Sequence, residues 1–167
     1  MAVELPTGEQ IRSLAPALTA SVIESETDSN GHMNVLYYLA RNSAAADAIV
    51  REVGVDDDYR QKRRLGLFTT EHPLAYYSEL RLGANFSVYG RVLARSDKAI
   101  HMMTFLLDRD HDRLANTLEI MLIHVDLERR RATPLPEDAA VALDEQLATS
   151  SALAWDAPTC GVIGIRR

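Results

Sequence analysis

Residues 35–53 place the tightest constraint on the fold. Leu39, Ala46, Ile49, Val50 and Val53 keep the three-and-four spacing of one helix face. The first half of the segment, VLYYLA, carries no charge on any side. A helix that is apolar nearly all round has to be enclosed, and Gly54 supplies its C-terminal stop. The residues that follow can do the enclosing. A short helix is predicted over 56–65, with acids first and bases last, as the helix dipole favours. Beyond it the period becomes that of strands, predicted over 68–80, 86–94, 99–107 and 114–125. Turn signals at 81–85, 95–97 and 108–113 separate them. Separators this short make antiparallel neighbours. Another strand is predicted ahead of the long helix, at 18–23. A curved antiparallel sheet could wrap such a helix and bury its surface. One sheet and one helix leave the sheet edges and part of its surface unprotected, so dimerisation is expected. Residues 127–136 read as a linker. Residues 137–147 read as a surface helix with Ala140, Leu143 and Leu147 on one face.

Composition narrows the function classes. The chain has 167 residues, the length of one domain, with 18 Lys+Arg against 24 Asp+Glu. That acidic balance argues against a nucleic-acid partner, which needs a basic face. One cysteine makes neither an internal disulfide nor a Cys-based zinc site. His72, His101 and His111 lack metal-ligand spacing. No apolar run approaches the roughly 20 residues of a membrane helix. The opening MAVELPTGEQ shows no signal-peptide pattern, so the expected location is cytoplasmic. Cys160 reads as a free thiol.

The informative loop is Asp28-Ser29-Asn30-Gly31-His32-Met33-Asn34, a carboxylate, two amides, an imidazole and a glycine just ahead of the long helix. A helix start offers unpaired N–H groups and partial positive charge. Those amides could stabilise an oxyanion, and the carboxylate could attack a carbonyl or activate water. Equally, Asp28 and Asn34 could only cap a turn and the helix, with Gly31 serving a bend. The residues alone leave both readings open.

The segment D-S-N-G-H-M-N followed by V-L-Y-Y resembles the Asp-x-x-Gly-His motif of hotdog-fold acyl-CoA thioesterases of the 4-hydroxybenzoyl-CoA thioesterase type. T-T-E-H-P-L-A-Y-Y-S-E-L-R-L-G (69–83) resembles the second-strand segment of this group, and E-I-M-L-I-H-V-D (119–126) its last strand. The nearest branch is that of betainyl-CoA and carnitine-pathway thioesterases. The resemblance implies an α+β hotdog fold, a five-stranded antiparallel sheet wrapped around a long central helix. It implies a thioesterase domain over 1–135, with 136–167 a C-terminal helix and tail. It further implies a homodimer or dimer of dimers with sites at the subunit interface, and an acyl-CoA substrate hydrolysed without metal or redox cofactor.

Carried over by position, Asp28 matches the family's catalytic carboxylate, as nucleophile or general base. The backbone amides near Asn34 and Val35 match its oxyanion site. His32 takes a supporting role, and Glu71 matches a Glu of the related branch. Strand alternation places Glu71 on the face of Thr69 and Tyr77, opposite Thr70 and His72. Pro73 stands where histidine is common in that branch, and it predicts an edge or bulge. Substrate contacts are expected from Gly31, Tyr37, Tyr38, Thr70 and Tyr77. With Phe68 and Tyr76, the tyrosines could cage a quaternary ammonium or simply pack in the core. CoA phosphates are expected at Arg95, Lys98 and Arg129, or these bases form a solvated face. Three other functions compete: a hotdog hydratase or dehydratase, a non-catalytic acyl-CoA binding module, and a serine hydrolase, which no G-x-S-x-G supports.

Overall fold

The computed structural model describes residues 4–165. Helix α1 (Gly8–Arg12) opens on a capping box, in which Gln10 N donates to Thr7 Oγ1 and Thr7 N to Gln10 Oε1. Strand β1 (Pro16–Ser21) follows, then a 3₁₀ turn at Glu24–Glu26 and the long helix α2 (Val35–Glu52), capped by the Asn34 side chain. Helix α3 (Asp57–Arg63) is capped by Asp56 and ends at Arg64 in the left-handed region. The strands then run β2 (Leu65–Glu71), β3 (Leu74–Tyr76), β4 (Asn85–Arg95), β5 (Ala99–Asp108), β6 (Arg113–Asp126) and β7 (Arg131–Ala132). Helix α4 (Glu137–Ser151) precedes a C-terminal tail.

The pairing is antiparallel throughout, in the order β1-β4-β5-β6-β2, with β3 and β7 also on β6. Alternation sorts the side chains to two faces. Leu118, Ile120 and Leu122 of β6, with Val92, Ile100 and Met102, pack against Ile49 and Val50 of α2 and Val53 just after it. Nearer the start of α2, Tyr38 and Ala45 meet Val22, Phe86, Val88 and Leu106. The sheet thus curls around α2, as the enclosed-helix pattern requires. At one point the two approach so closely that only glycine fits. A Cβ on Gly90 would stand 2.2 Å from Ile49 Cδ1. A buried polar network also ties helix to sheet. Asn42 Nδ2 donates to Tyr38 O (2.7 Å) and Asn116 Oδ1 (2.6 Å), and Thr104 Oγ1 donates to Asn42 Oδ1 (2.8 Å).

Several expectations change. The sheet surface away from α2 is not left open. Ile11 of α1 and Trp155 of the tail cover Tyr89, Met103, Phe105, Leu107 and Leu114 there. Arg91 holds the tail down, donating to Ser150 O (2.7 Å) and Trp155 O (2.9 Å) and lying 4.3 Å over the Trp155 ring. Glu119 bonds both His101 Nε2 (2.8 Å) and Cys160 N (2.7 Å). The expected linker contains β7, and α4 runs to Ser151 with Ala139 and Leu143 in the main core. The strand expected over 68–80 is two strands, broken at His72-Pro73, because proline supplies no ladder N–H.

The break also alters faces. Thr69 pairs with Leu122 but Glu71 with Met121, leaving Thr70 as the extra residue of a bulge. Cross-strand partners share a face, so Thr69 points to α2 with Leu122 and Glu71 points away with Met121. This corrects the expectation that Glu71 and Thr69 share a face. Tyr77 does lie on the outer face with Glu71, its hydroxyl 3.3 Å from Thr117 Oγ1.

Candidate active site

The Asp28 loop is a closed turn. Asp28 N donates to His32 O and Gly31 N to Asp28 O, both at 3.0 Å, and Thr27 and Met33 pair across its base. Gly31 sits at φ +79°, a conformation that a side chain would strain. Met33 is fully buried and donates its N–H to Leu80 O at 2.7 Å, while His32 bridges to Arg81. Leu80 N in turn donates to the Tyr38 hydroxyl at 2.9 Å. The loop is therefore fixed to the segment after β3 and to α2 together.

Asp28 keeps its side chain 21% exposed. One carboxylate oxygen accepts Asn30 N at 2.8 Å; the other makes no hydrogen bond among the described residues. His32 Nδ1 lies 4.0 Å from Asp28 Oδ1 and 3.2 Å from Met33 O, close enough to orient the loop. Asn34 Oδ1 caps Leu36 N at 3.0 Å. Asn34 N donates to Glu26 O at 2.8 Å, so this amide is already engaged. That corrects its assignment to the oxyanion hole. Val35 N stands at the first helical position, where no intrahelical acceptor exists. Among the described residues it has no hydrogen-bond partner, whereas Leu36 N is capped by Asn34 Oδ1 and Tyr37 N by Asn34 O.

The other expected residues are spread more widely. Tyr38 is buried and meets Tyr76 edge to face at 5.3 Å. Burial pushes the Tyr38 phenol up from its ordinary pKa, and does the same to Tyr76. Tyr37 is half-buried against the same core. Thr70 Oγ1 donates to Met121 O at 3.1 Å. Glu71 and Tyr77, on the outer face, are not brought to Asp28 within one chain. Arg95 is bound to Asp144 of α4 at 2.6 and 2.5 Å. Arg129 N caps the turn after β6 through Asp126. Arg95 and Lys98 flank the β4–β5 turn. The Asp28 loop docks at the other end of these strands, and the eleven residues of β4 span about 35 Å. One chain therefore does not join these cations to Asp28.

A group not anticipated lines a cavity of about 190 Å³ between α2 and β2: Leu39, Ser43, Thr69, His72, Leu118 and Ile120. Leu39 and Ser43 follow Val35 at intervals of four, one stripe of the helix. That spacing was readable in the sequence. The strands of the opposite wall were expected too, but not that Thr69, Leu118 and Ile120 would face this stripe.

A family model described as the thioesterase-like superfamily matches residues 23–143. A betainyl-CoA thioesterase of Pseudomonas aeruginosa is 32% identical over 127 residues, 76% of this chain and 79% of that one. A bifunctional L-carnitine dehydrogenase/betainyl-CoA thioesterase of Agrobacterium fabrum is 32% identical over 139 residues, 83% of this chain. The match spans only 28% of that longer protein. Among solved structures, a hypothetical protein of Staphylococcus aureus in complex with CoA superposes with a TM-score of 0.80. It is 26% identical and the match covers 89% of this chain and 94% of that one. Helix-wrapping sheet, Asp28 loop and sequence matches agree: this chain belongs to the thioesterase-like superfamily.

Proposed function

We propose that the protein hydrolyses an acyl-CoA thioester to the free acid and CoA. The observation that carries this reading is the Asp28 carboxylate, 21% exposed with one oxygen unengaged among the described residues, held in a closed turn ahead of the Val35 amide. In the proposed reaction Asp28 either attacks the thioester carbonyl, giving a mixed anhydride that water then hydrolyses to the free acid, or draws a proton from a water that attacks the carbonyl directly. The oxyanion forms at Val35 N–H, where the helix dipole adds to the hydrogen bond. CoA leaves as a thiolate, so a strong general acid is not required. The acyl group follows the stripe from Val35 past Leu39 to Ser43 and enters the cavity between α2 and β2. Relatives named for betainyl-CoA make a short, polar acyl group the first substrate to test.

A homodimer suits this reading. Val35, Leu36, Phe68 and Tyr76 are exposed apolar groups around the free β2 edge. Two such edges related by a two-fold axis run antiparallel. The partner's Arg129 end then approaches the Asp28 end of the first chain, which places cations for the CoA phosphates. The test is thiol release from a panel of acyl-CoAs, betainyl-CoA included, by wild type and by Asp28→Asn. The variant should fold normally and lose at least about a hundredfold in kcat. Unchanged turnover would remove Asp28 from the chemistry. Tight binding without release by the wild type would point instead to a binding module.

A further inference from the structure

We infer that Glu26 and Arg41 form a positioning pair that sets the geometry of the Asp28 loop; this rests on the proposed role of Asp28. Glu26 stands just ahead of the loop and is 3% exposed. It holds three separate parts of the chain. Its backbone oxygen accepts Asn34 N, at the far end of the loop, at 2.8 Å. Its carboxylate Oε1 bonds the guanidinium of Arg41, in the second turn of α2. Its Oε2 lies 3.4 Å from Ile23 N, at the end of the preceding segment. Arg41 Nε is buried and makes no hydrogen bond among the described residues, so Glu26 is what orients the guanidinium.

Glu26 is buried while the Arg41 side chain stays 30% exposed. Desolvating the carboxylate offsets much of what its attraction to Arg41 returns, so such a pair is a poor device for stability. What this pair supplies is a fixed distance. Both ends of the loop, Glu26 and Asn34, are joined by one hydrogen bond, and the side chain of the same Glu26 is fastened to the helix whose first amide is Val35. Asp28 and Val35 must present their groups to one carbonyl. A misplacement of about 1 Å between such groups costs on the order of a hundredfold in rate. Neither Glu26 nor Arg41 is assigned any contact with substrate; they act through the loop.

The test uses Glu26→Gln, Arg41→Met, Arg41→Lys and the double variant Glu26→Gln/Arg41→Met, beside Asp28→Asn. Two quantities are read: amide hydrogen exchange of the loop peptide, and kcat and KM with the acyl-CoA turned over best by the wild type. The expected result is at least tenfold faster exchange confined to the loop in Glu26→Gln and Arg41→Met. kcat should fall tenfold to a hundredfold in both, with KM held within about twofold. The double variant should be no slower than the slower single variant, and Arg41→Lys should recover part of the loss. A merely structural pair would lower the melting temperature while leaving kcat of the folded fraction unchanged. Unaltered loop exchange overturns the inference whatever the rates do. So does kcat within twofold of wild type while Asp28→Asn is inactive. Full activity in Asp28→Asn would sink the reading of Asp28 itself, and this inference with it.

Discussion

Asn42→Ala should lower stability by about 2–3 kcal/mol, and the figure follows from who loses a partner. The Asn42 amide satisfies Asn116 Oδ1 and accepts the Thr104 hydroxyl, both buried beneath α2. Truncation orphans Asn116 Oδ1 outright. Thr104 keeps only a long bond to Leu118 O at 3.4 Å. Each orphaned buried group costs about 1–3 kcal/mol. The third bond, to Tyr38 O, costs little, because that carbonyl sits inside a helix. Alanine returns about 0.5 kcal/mol of helix propensity. At this chain length about 2–4 °C of melting temperature accompanies each kcal/mol, so a drop of about 5–10 °C is expected by circular dichroism. Protein concentration must be matched, since an oligomer's midpoint depends on it. Asn116→Ala breaks the same bond from the sheet side. The double variant should therefore lose less than the sum of the singles by at least about 1 kcal/mol. Strict additivity, or a shift under 2 °C for Asn42→Ala, would refute the claim that this network couples helix to sheet.

Two further perturbations test the packing. Burial pushes the Tyr59 phenol up to about 12 from an ordinary 10, so between those values the unfolded chain releases a proton that the folded chain keeps. Stability present below pH 10 is lost as pH rises towards 12, and melting curves over that range should fall less steeply for Tyr59→Phe; parallel curves would contradict the assignment. At Gly90, an added Cβ meets Ile49 Cδ1 at 2.2 Å and Thr104 Cγ2 at 3.4 Å. Gly90→Ala should cost about 1–3 kcal/mol in urea unfolding, and Ile49→Val placed on top should recover part of it; a further loss would mean that Ile49 is not the obstacle.

The sequence revealed elements whose cause is local. Helix α2 and strands β4, β5 and β6 appear within about a residue of their expected limits, because an uncharged helix face and short turns leave few alternatives. The Asp28 loop was legible as a motif, and its position ahead of α2 followed from the capping asparagine. The misses share a non-local origin. The one-residue bulge at Thr70 reverses the face of Glu71; Pro73 signalled an edge or bulge, but nothing local placed it at Thr70. The Asn34 amide is engaged because Glu26 O happens to meet it across the loop. Ile11 and Trp155 lie at opposite ends of the chain, so their joint cover of the outer sheet face has no sequence pattern. Helix α1 was missed for another reason: its five residues are too few for periodicity to register, and only the Thr7–Gln10 capping box fixes its start.

The two outermost strands share a chemical peculiarity. Strand β1 opens on Pro16, and the opposite rim is interrupted by Pro73 between β2 and β3. The Pro73 carbonyl is turned inward to accept Glu119 N at 3.0 Å, so this proline ends the β2 ladder from its paired side. On the β2 side the strand is only seven residues long and carries the Thr70 bulge, enough to join two molecules but a poor template for an extending stack. In the crowded state just after synthesis, that limit favours finite assembly over fibre growth. Replacing Pro73 with a strand former such as valine would let β2 run on into β3 and lengthen the template.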